Sequence, residues 1–159
     1  MATVAQTIRD TKAAERTLIV GLGKTGLSCA RFLAARGIAF AVTDSRAEPP
    51  GLTTLRTELP DVPLYLGGFT EAAFADAGRL VVSPGVSLRE PLIAAALARG
   101  AEAIGDIELF ARHAKAPVVA ITGANGKSTV TTLVGLMAQA AGRDARVGGN
   151  LGTPALELI

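Results

Sequence analysis

Cysteine is almost missing from this 159-residue chain. Cys29 stands alone, so no disulfide within the chain can brace the fold. Its place among apolar neighbours on a predicted helix marks it as a small core residue, not a reactive thiol. Histidine is as scarce. His113 is the only one, and late in a helix beside Lys115 it reads as a solvated helix end, not a catalytic base. No sign of charge prevails either: a formal net charge of +2 is too slight for a nucleic-acid binder and suits a protein that takes one anionic small molecule. No apolar run approaches the length that crosses a bilayer. Met1–Arg16 is mixed and polar, without the apolar core of a secretory signal. These absences lead to the expectation of a protein working in a reducing cytoplasm.

What is present is a globular composition, 49% hydrophobic and 19% charged, in a chain long enough for one full domain and part of another. Its strongest signal runs from Ala116 to Thr132. Val118, Val119 and Ile121 form a β-branched run that predicts a buried strand, and the run stops at Thr122-Gly123. After Lys127 the apolar residues fall at Val130, Leu133, Val134, Met137 and Ala138, the spacing of one helical face. The segment Gly123-Ala124-Asn125-Gly126-Lys127-Ser128-Thr129 therefore lies where a strand turns into a helix. A helix start attracts anions, and glycines let the backbone close on phosphate oxygens. Lys127 is placed to reach β- and γ-phosphates, and the hydroxyls of Ser128 and Thr129 to hold Mg²⁺. The general P-loop pattern has a glycine where this chain has Ile121, so the loop is a shortened G-x-x-G-K-S-T form. A glycine turn followed by a solvated lysine is the bland alternative.

Earlier in the chain, strands and helices alternate. Strands are predicted at Thr17–Gly23, Ile38–Thr43, Leu64–Leu66, Leu80–Ser83 and Ala103–Ile104; helices at Thr25–Arg36, Leu52–Leu59, from Thr70, at Pro91–Arg99 and at Ile107–Ala114, the last capped by Asp106. The pair Asp106 and Glu108 reads as part of that cap and not as an acid–base dyad. Alternation predicts an α/β fold with a parallel sheet and right-handed crossovers. A return strand near Ala145–Val147 is expected after the helix that begins at Lys127. A boundary is expected near Gly105: residues 1–105 form a Rossmann-like sheet domain, and 106–159 begin a P-loop ATPase domain. The second unit has too few strands to bury a sheet on both faces, so further sequence past Ile159 is expected.

Gly21-Leu22-Gly23-Lys24-Thr25-Gly26 fits G-x-G-x-x-G after a strand and at the opening of a helix. Asp44 ends the next strand, where an acidic residue commonly meets a ribose hydroxyl. Taken alone, this pattern describes a nicotinamide dinucleotide site. A hydride-transfer enzyme has no need of a second, triphosphate-type cradle so soon afterwards, so the pair of loops favours a nucleotide-linked substrate in the first and ATP in the second. Ser83-Pro84-Gly85 should lie on the same strand-end edge, as a plain turn or as a ligand contact. Gly148-Gly149-Asn150-Leu151-Gly152, by the same two readings, should come near the P-loop edge, where its backbone and amide donors could face a γ-phosphate.

The ordered set of Gly-Leu-Gly-Lys-Thr-Gly, Ser-Pro-Gly, Gly-Asp-Ile-Glu-Leu-Phe, the short Thr-Gly-Ala-Asn-Gly-Lys-Ser-Thr loop and Gly-Gly-Asn-Leu-Gly closely resembles the Mur ligases of peptidoglycan synthesis, and within them the members that add D-glutamate to UDP-N-acetylmuramoyl-L-alanine. The similarity runs from about Thr17 to the end, and the shortened P-loop is the form this family uses. The resemblance implies three domains, binding the UDP part of the substrate, ATP and the amino acid in turn. It implies that Gly23, Lys24 and Thr25 meet the diphosphate, Asp44, Ser45 and Arg46 the uridine, and Gly85 and Asn150 the rest of the UDP-sugar. Gly123–Thr129 would hold ATP, with Lys127 and Ser128 catalytic and Ser128 and Thr129 on Mg²⁺. The implied reaction is amide formation through an acyl phosphate, by a cytoplasmic monomer whose partners are these small molecules, with no nucleic acid or membrane. The later Mg²⁺ ligands and the amino-acid domain of that family have no counterpart in this sequence, so the piece alone is expected to be inactive. The rival readings are a ligase of the folylpolyglutamate synthetase type and a non-catalytic NAD-binding module.

Overall fold

The computed structural model describes residues 16–159, so the polar stretch read as lacking a signal falls, apart from Arg16, outside the described residues. Among the described residues five strands, β1 (Thr17–Val20), β2 (Phe40–Asp44), β3 (Leu64–Leu66), β4 (Arg79–Val82) and β5 (Glu102–Ile104), form one sheet in the order β3-β2-β1-β4-β5. Every pairing is parallel. Helices α1 (Lys24–Ala35), α2 (Leu52–Glu58), α3 (Glu71–Phe74), α4 (Pro91–Ala98), α5 (Asp106–Ala111) and α6 (Lys127–Ala140) follow in chain order, with a 3₁₀ turn at Ala155–Leu158. The expected α/β parallel sheet is present.

β1 is buried along its whole length because both faces of the sheet are covered. Successive side chains point to opposite faces. Ile19 enters a cluster with Cys29, Phe32, Leu33, Leu55, Leu109 and Leu156, while Leu18 and Val20 enter another with Phe74, Leu80, Ile93 and Ala96. Each fully buried aliphatic side chain contributes about 1.5–3 kcal/mol, so these two layers fix the register that sets the strand ends beside one another. Gly37 ends the first helix as expected: its φ of +65° is easy for glycine, and its N–H donates to the Ala34 carbonyl at 3.0 Å.

The second half departs from expectation. Residues 118–121 form no strand, and Val118 and Val119 are 56% and 71% exposed; no described strand lies beside them to supply a ladder or a cover, so β-branched chemistry has nothing to act on. Residues 145–147 form no return strand for the same reason. α6 forms where expected, but of its residues only Gly135 is buried, and Val130, Leu133 and Met137 face solvent. Asp106 is the first residue of α5, not its cap; Gly105 holds the cap position and no side chain caps the helix. Glu108 pairs instead with Arg112 at 2.8 Å. His113 is half-buried, not solvated: its ring meets Phe32 edge-on at 5.0 Å and Nδ1 lies 2.8 Å from the Leu109 carbonyl. α5 sends Leu109 into the core of the first sheet, so the chain after Gly105 stays packed on that core for at least one helix.

Candidate functional site

The carboxyl ends of β1, β2 and β4 meet at one edge, and there the first glycine loop is assembled. Gly21 has φ +100°, and a Cβ on it would sit 2.8 Å from Ser83 Oγ. Its N–H donates to the Thr43 carbonyl at 2.8 Å. Ser83 Oγ lies 3.1 Å from the Gly21 carbonyl, to which it donates. Gly26 lets α1 press directly on the turn, since any Cβ there would overlap the Gly21 carbonyl oxygen. Gly23 is different: a Cβ on it would meet nothing within 4 Å. These are the three uses of glycine in a phosphate-binding turn, namely tight turn, open approach and close helix packing. Gly23 opens α1, whose first residues are Lys24 and Thr25, so free helix N–H groups face the turn and a lysine begins the helix.

Asp44 reaches this edge, but its carboxylate is already engaged. Oδ2 accepts from the Leu22 N–H at 2.7 Å and Arg46 Nη2 at 2.8 Å. Oδ1 accepts from the Arg46 N–H and Nε, both at 2.9 Å. The side chain is 3% exposed. The Arg46 guanidinium first, and then the Leu22 and Arg46 N–H groups, hold its pKa down at about 2 against the opposing effect of burial. Arg46 keeps half its side chain in solvent, and Ser45 is exposed beside it. The groups offered outward at the end of β2 are therefore a guanidinium and a hydroxyl. Gly85, exposed after the Ser83 turn, adds open backbone on the β4 side.

The P-loop segment keeps the predicted turn-to-helix geometry without its strand. Gly123 and Gly126 have φ of +153° and +73°, and Gly126 is the N-cap of α6. Lys127 Nζ donates to the carbonyls of Gly123 and Ala124 at 2.5 and 3.1 Å, which holds the ammonium over the loop. Asn125, Ser128 and Thr129 are exposed. The first-turn N–H groups, the lysine and two hydroxyls make a donor set suited to a phosphate chain with its Mg²⁺, an ion that keeps most of its own waters. Among the described residues no cluster of His, Cys, Asp and Glu could hold a metal by itself.

Gly148–Gly152 was expected near the P-loop. Val147 packs on α6 at Gly135, and Leu151 and Gly152 line one pocket with Thr132, Gly135 and Leu136 of that helix, as expected; the loop also reaches the first glycine turn, where Lys24 Nζ donates to the Gly152 carbonyl at 2.5 Å. Two functional groups escaped the sequence reading: the Leu22 N–H and the Gly152 carbonyl. Both are backbone atoms, which leave no trace in residue identity.

The family described as Mur ligase MurD-like, N-terminal domain, matches residues 15–105. Similar proteins include UDP-N-acetylmuramoylalanine--D-glutamate ligases of Marinobacter nauticus, 65% identical over 91% of this chain and 32% of that protein, and Nitrosococcus oceani, 62% identical over 93% and 33%. A solved pseudomurein peptide ligase type C from Methanothermus fervidus superposes with a TM-score of 0.52 at 25% identity, over 80% of this chain and 26% of that one. The chain thus spans about a third of the length of the curated relatives it matches. With the glycine turn, the β3-β2-β1-β4-β5 sheet and a family match over more than half its length, the chain belongs to the MurD-like Mur ligases.

Proposed function

We propose that this chain is the substrate-entry portion of an ATP-dependent ligase that joins D-glutamate to UDP-N-acetylmuramoyl-L-alanine in peptidoglycan precursor synthesis. The observation that carries the reading is the open Gly23 between two close-packed glycines, flanked by Lys24, Thr25 and the outward guanidinium of Arg46. A diphosphate fits the helix mouth, and a planar base with its ribose fits beside Ser45 and Arg46. Gly85 and Asn150 would meet the sugar-linked part. In this proposal residues 1–105 bind the UDP substrate and 106–159 begin the ATP-binding unit, in a protein of the cytoplasm that acts on small molecules.

ATP, when bound, would supply the phosphoryl group that turns a carboxylate, a poor acyl donor, into an acyl phosphate with release of ADP, so that the amine of D-glutamate can form the amide by displacing inorganic phosphate. The residues of this chain contribute positioning and charge. Gly123, Ala124, Asn125 and Gly126 offer backbone donors, Lys127 offsets charge on the moving phosphoryl group, and Ser128 and Thr129 offer hydroxyls to Mg²⁺. In the full-length enzyme Lys127→Ala should abolish ATP turnover while leaving UDP-substrate affinity within about twofold, because the two loops are separate binding elements. An Ala variant that still turns over ATP refutes the assignment.

A further inference from the structure

The segment 146–158 is a hooked strap seated on α1. Gly149 N–H donates to the Thr153 carbonyl at 2.7 Å, and Arg146 Nη1 to the Leu158 carbonyl at 3.1 Å. Leu156 plugs into the core beneath α1, and Glu157 lies 3.6 Å from Arg31 on the same helix. From the first glycine turn, Lys24 reaches the exposed tip through its hydrogen bond to the Gly152 carbonyl. An ammonium has three donors, and this bond uses one. The other two remain for a ligand, on a side chain borne by the first residue of α1, a helix start whose N–H groups favour an anion.

The geometry points to Lys24 as a positioning residue that bridges a diphosphate in the first glycine turn to the Gly148–Gly152 loop, so that filling the UDP site fastens the loop carrying Asn150. This rests on the proposed UDP-substrate reading. The physical reason is that an anion beside the ammonium holds the side chain in place, so the bond to Gly152 no longer requires Lys24 to be ordered for that contact alone. The strap's base is already anchored through Leu156, leaving the tip as the part that ligand binding can settle.

Amide hydrogen exchange on this chain, with and without saturating UDP, tests it. With UDP, the wild-type amides of 149–153 should slow by about three- to tenfold, the range of the net contribution of one typical hydrogen bond, together with those of 21–26. In Lys24→Met the glycine turn should still be protected while 149–153 gain nothing, and Lys24→Arg should restore the loop response. Without UDP, Lys24→Met should already exchange about threefold faster than wild type at 149–153. Equal rates there, or loop protection by UDP in the Met variant, overturn the bridge. Protection of 21–26 without 149–153 in the wild type overturns the bridge alone; protection at neither overturns the UDP reading with it.

Discussion

The backbone N–H of Leu22 donates to Asp44 Oδ2 at 2.7 Å, tying the middle of the glycine turn to the end of the neighbouring strand. Leu22 is held from its other side too, since its carbonyl accepts from the Gly51 N–H at 3.0 Å. Asp44→Ala should leave that buried N–H without a partner and free Arg46, lowering stability by about 1–3 kcal/mol. The expected readout is a lower urea midpoint at unchanged slope, with weaker UDP-substrate binding because turn and guanidinium are both displaced. A variant with wild-type midpoint and affinity contradicts the clamp.

The same carboxylate sets an acid limit. Its folded pKa of about 2 lies below its ordinary value near 4, so the stabilisation is fully present above about pH 4 and is lost as pH falls toward 2. The amount is about 2 kcal/mol. Glu102, held down at about 2 by Arg112 and then Arg79, titrates in the same window but is too exposed to add much. Urea midpoints at pH 5, 3 and 2 should therefore fall more steeply for wild type than for Asp44→Asn; parallel curves count against the assignment.

Two glycine substitutions should separate folding from binding. Gly26→Ala forces a Cβ into the Gly21 carbonyl and should cost several kcal/mol or prevent folding. Gly23→Ala meets only open space at a φ of −94°, so its melting temperature should move by no more than a few degrees. Its added methyl occupies the approach proposed for the diphosphate, so UDP affinity should drop about tenfold or more. Tight UDP binding by Gly23→Ala argues against that approach.

Cys29 is fully buried, and burial first, then the negative charge of Asp106, pushes its thiol up to about 12. A thiol reagent at pH 8 should label the folded chain only as fast as it opens, and denaturant should release one equivalent at once. Fast labelling of the native chain rules out the packing described.

The sheet was legible because β1, β2 and β4 are apolar runs bounded by glycine, aspartate or proline, and both faces of the sheet lie inside this chain. The strand expected at 118–121 does not form, because a β-branched run becomes a strand only beside another, and no described strand lies alongside it. The candidate site divides the same way. Gly21, Gly23, Gly26 and Asp44 were findable from spacing, but spacing placed the Asp44 carboxylate toward a ligand, whereas the fold turns it inward on Leu22 and Arg46. His113 looked solvated because its partner, Phe32, lies far away in sequence and meets it only across the packing of α1 against the chain after α5.

The central claim, that the first turn takes a uridine diphosphate and not a nicotinamide dinucleotide, is met most directly by the thermal melting of this chain with UDP-N-acetylmuramoyl-L-alanine, NAD or Mg-ATP. At a hundred times its dissociation constant a true ligand adds about 2.7 kcal/mol. The UDP compound should raise the melting temperature and NAD should leave it unchanged, with little response to Mg-ATP. Stabilisation by NAD alone would contradict the account.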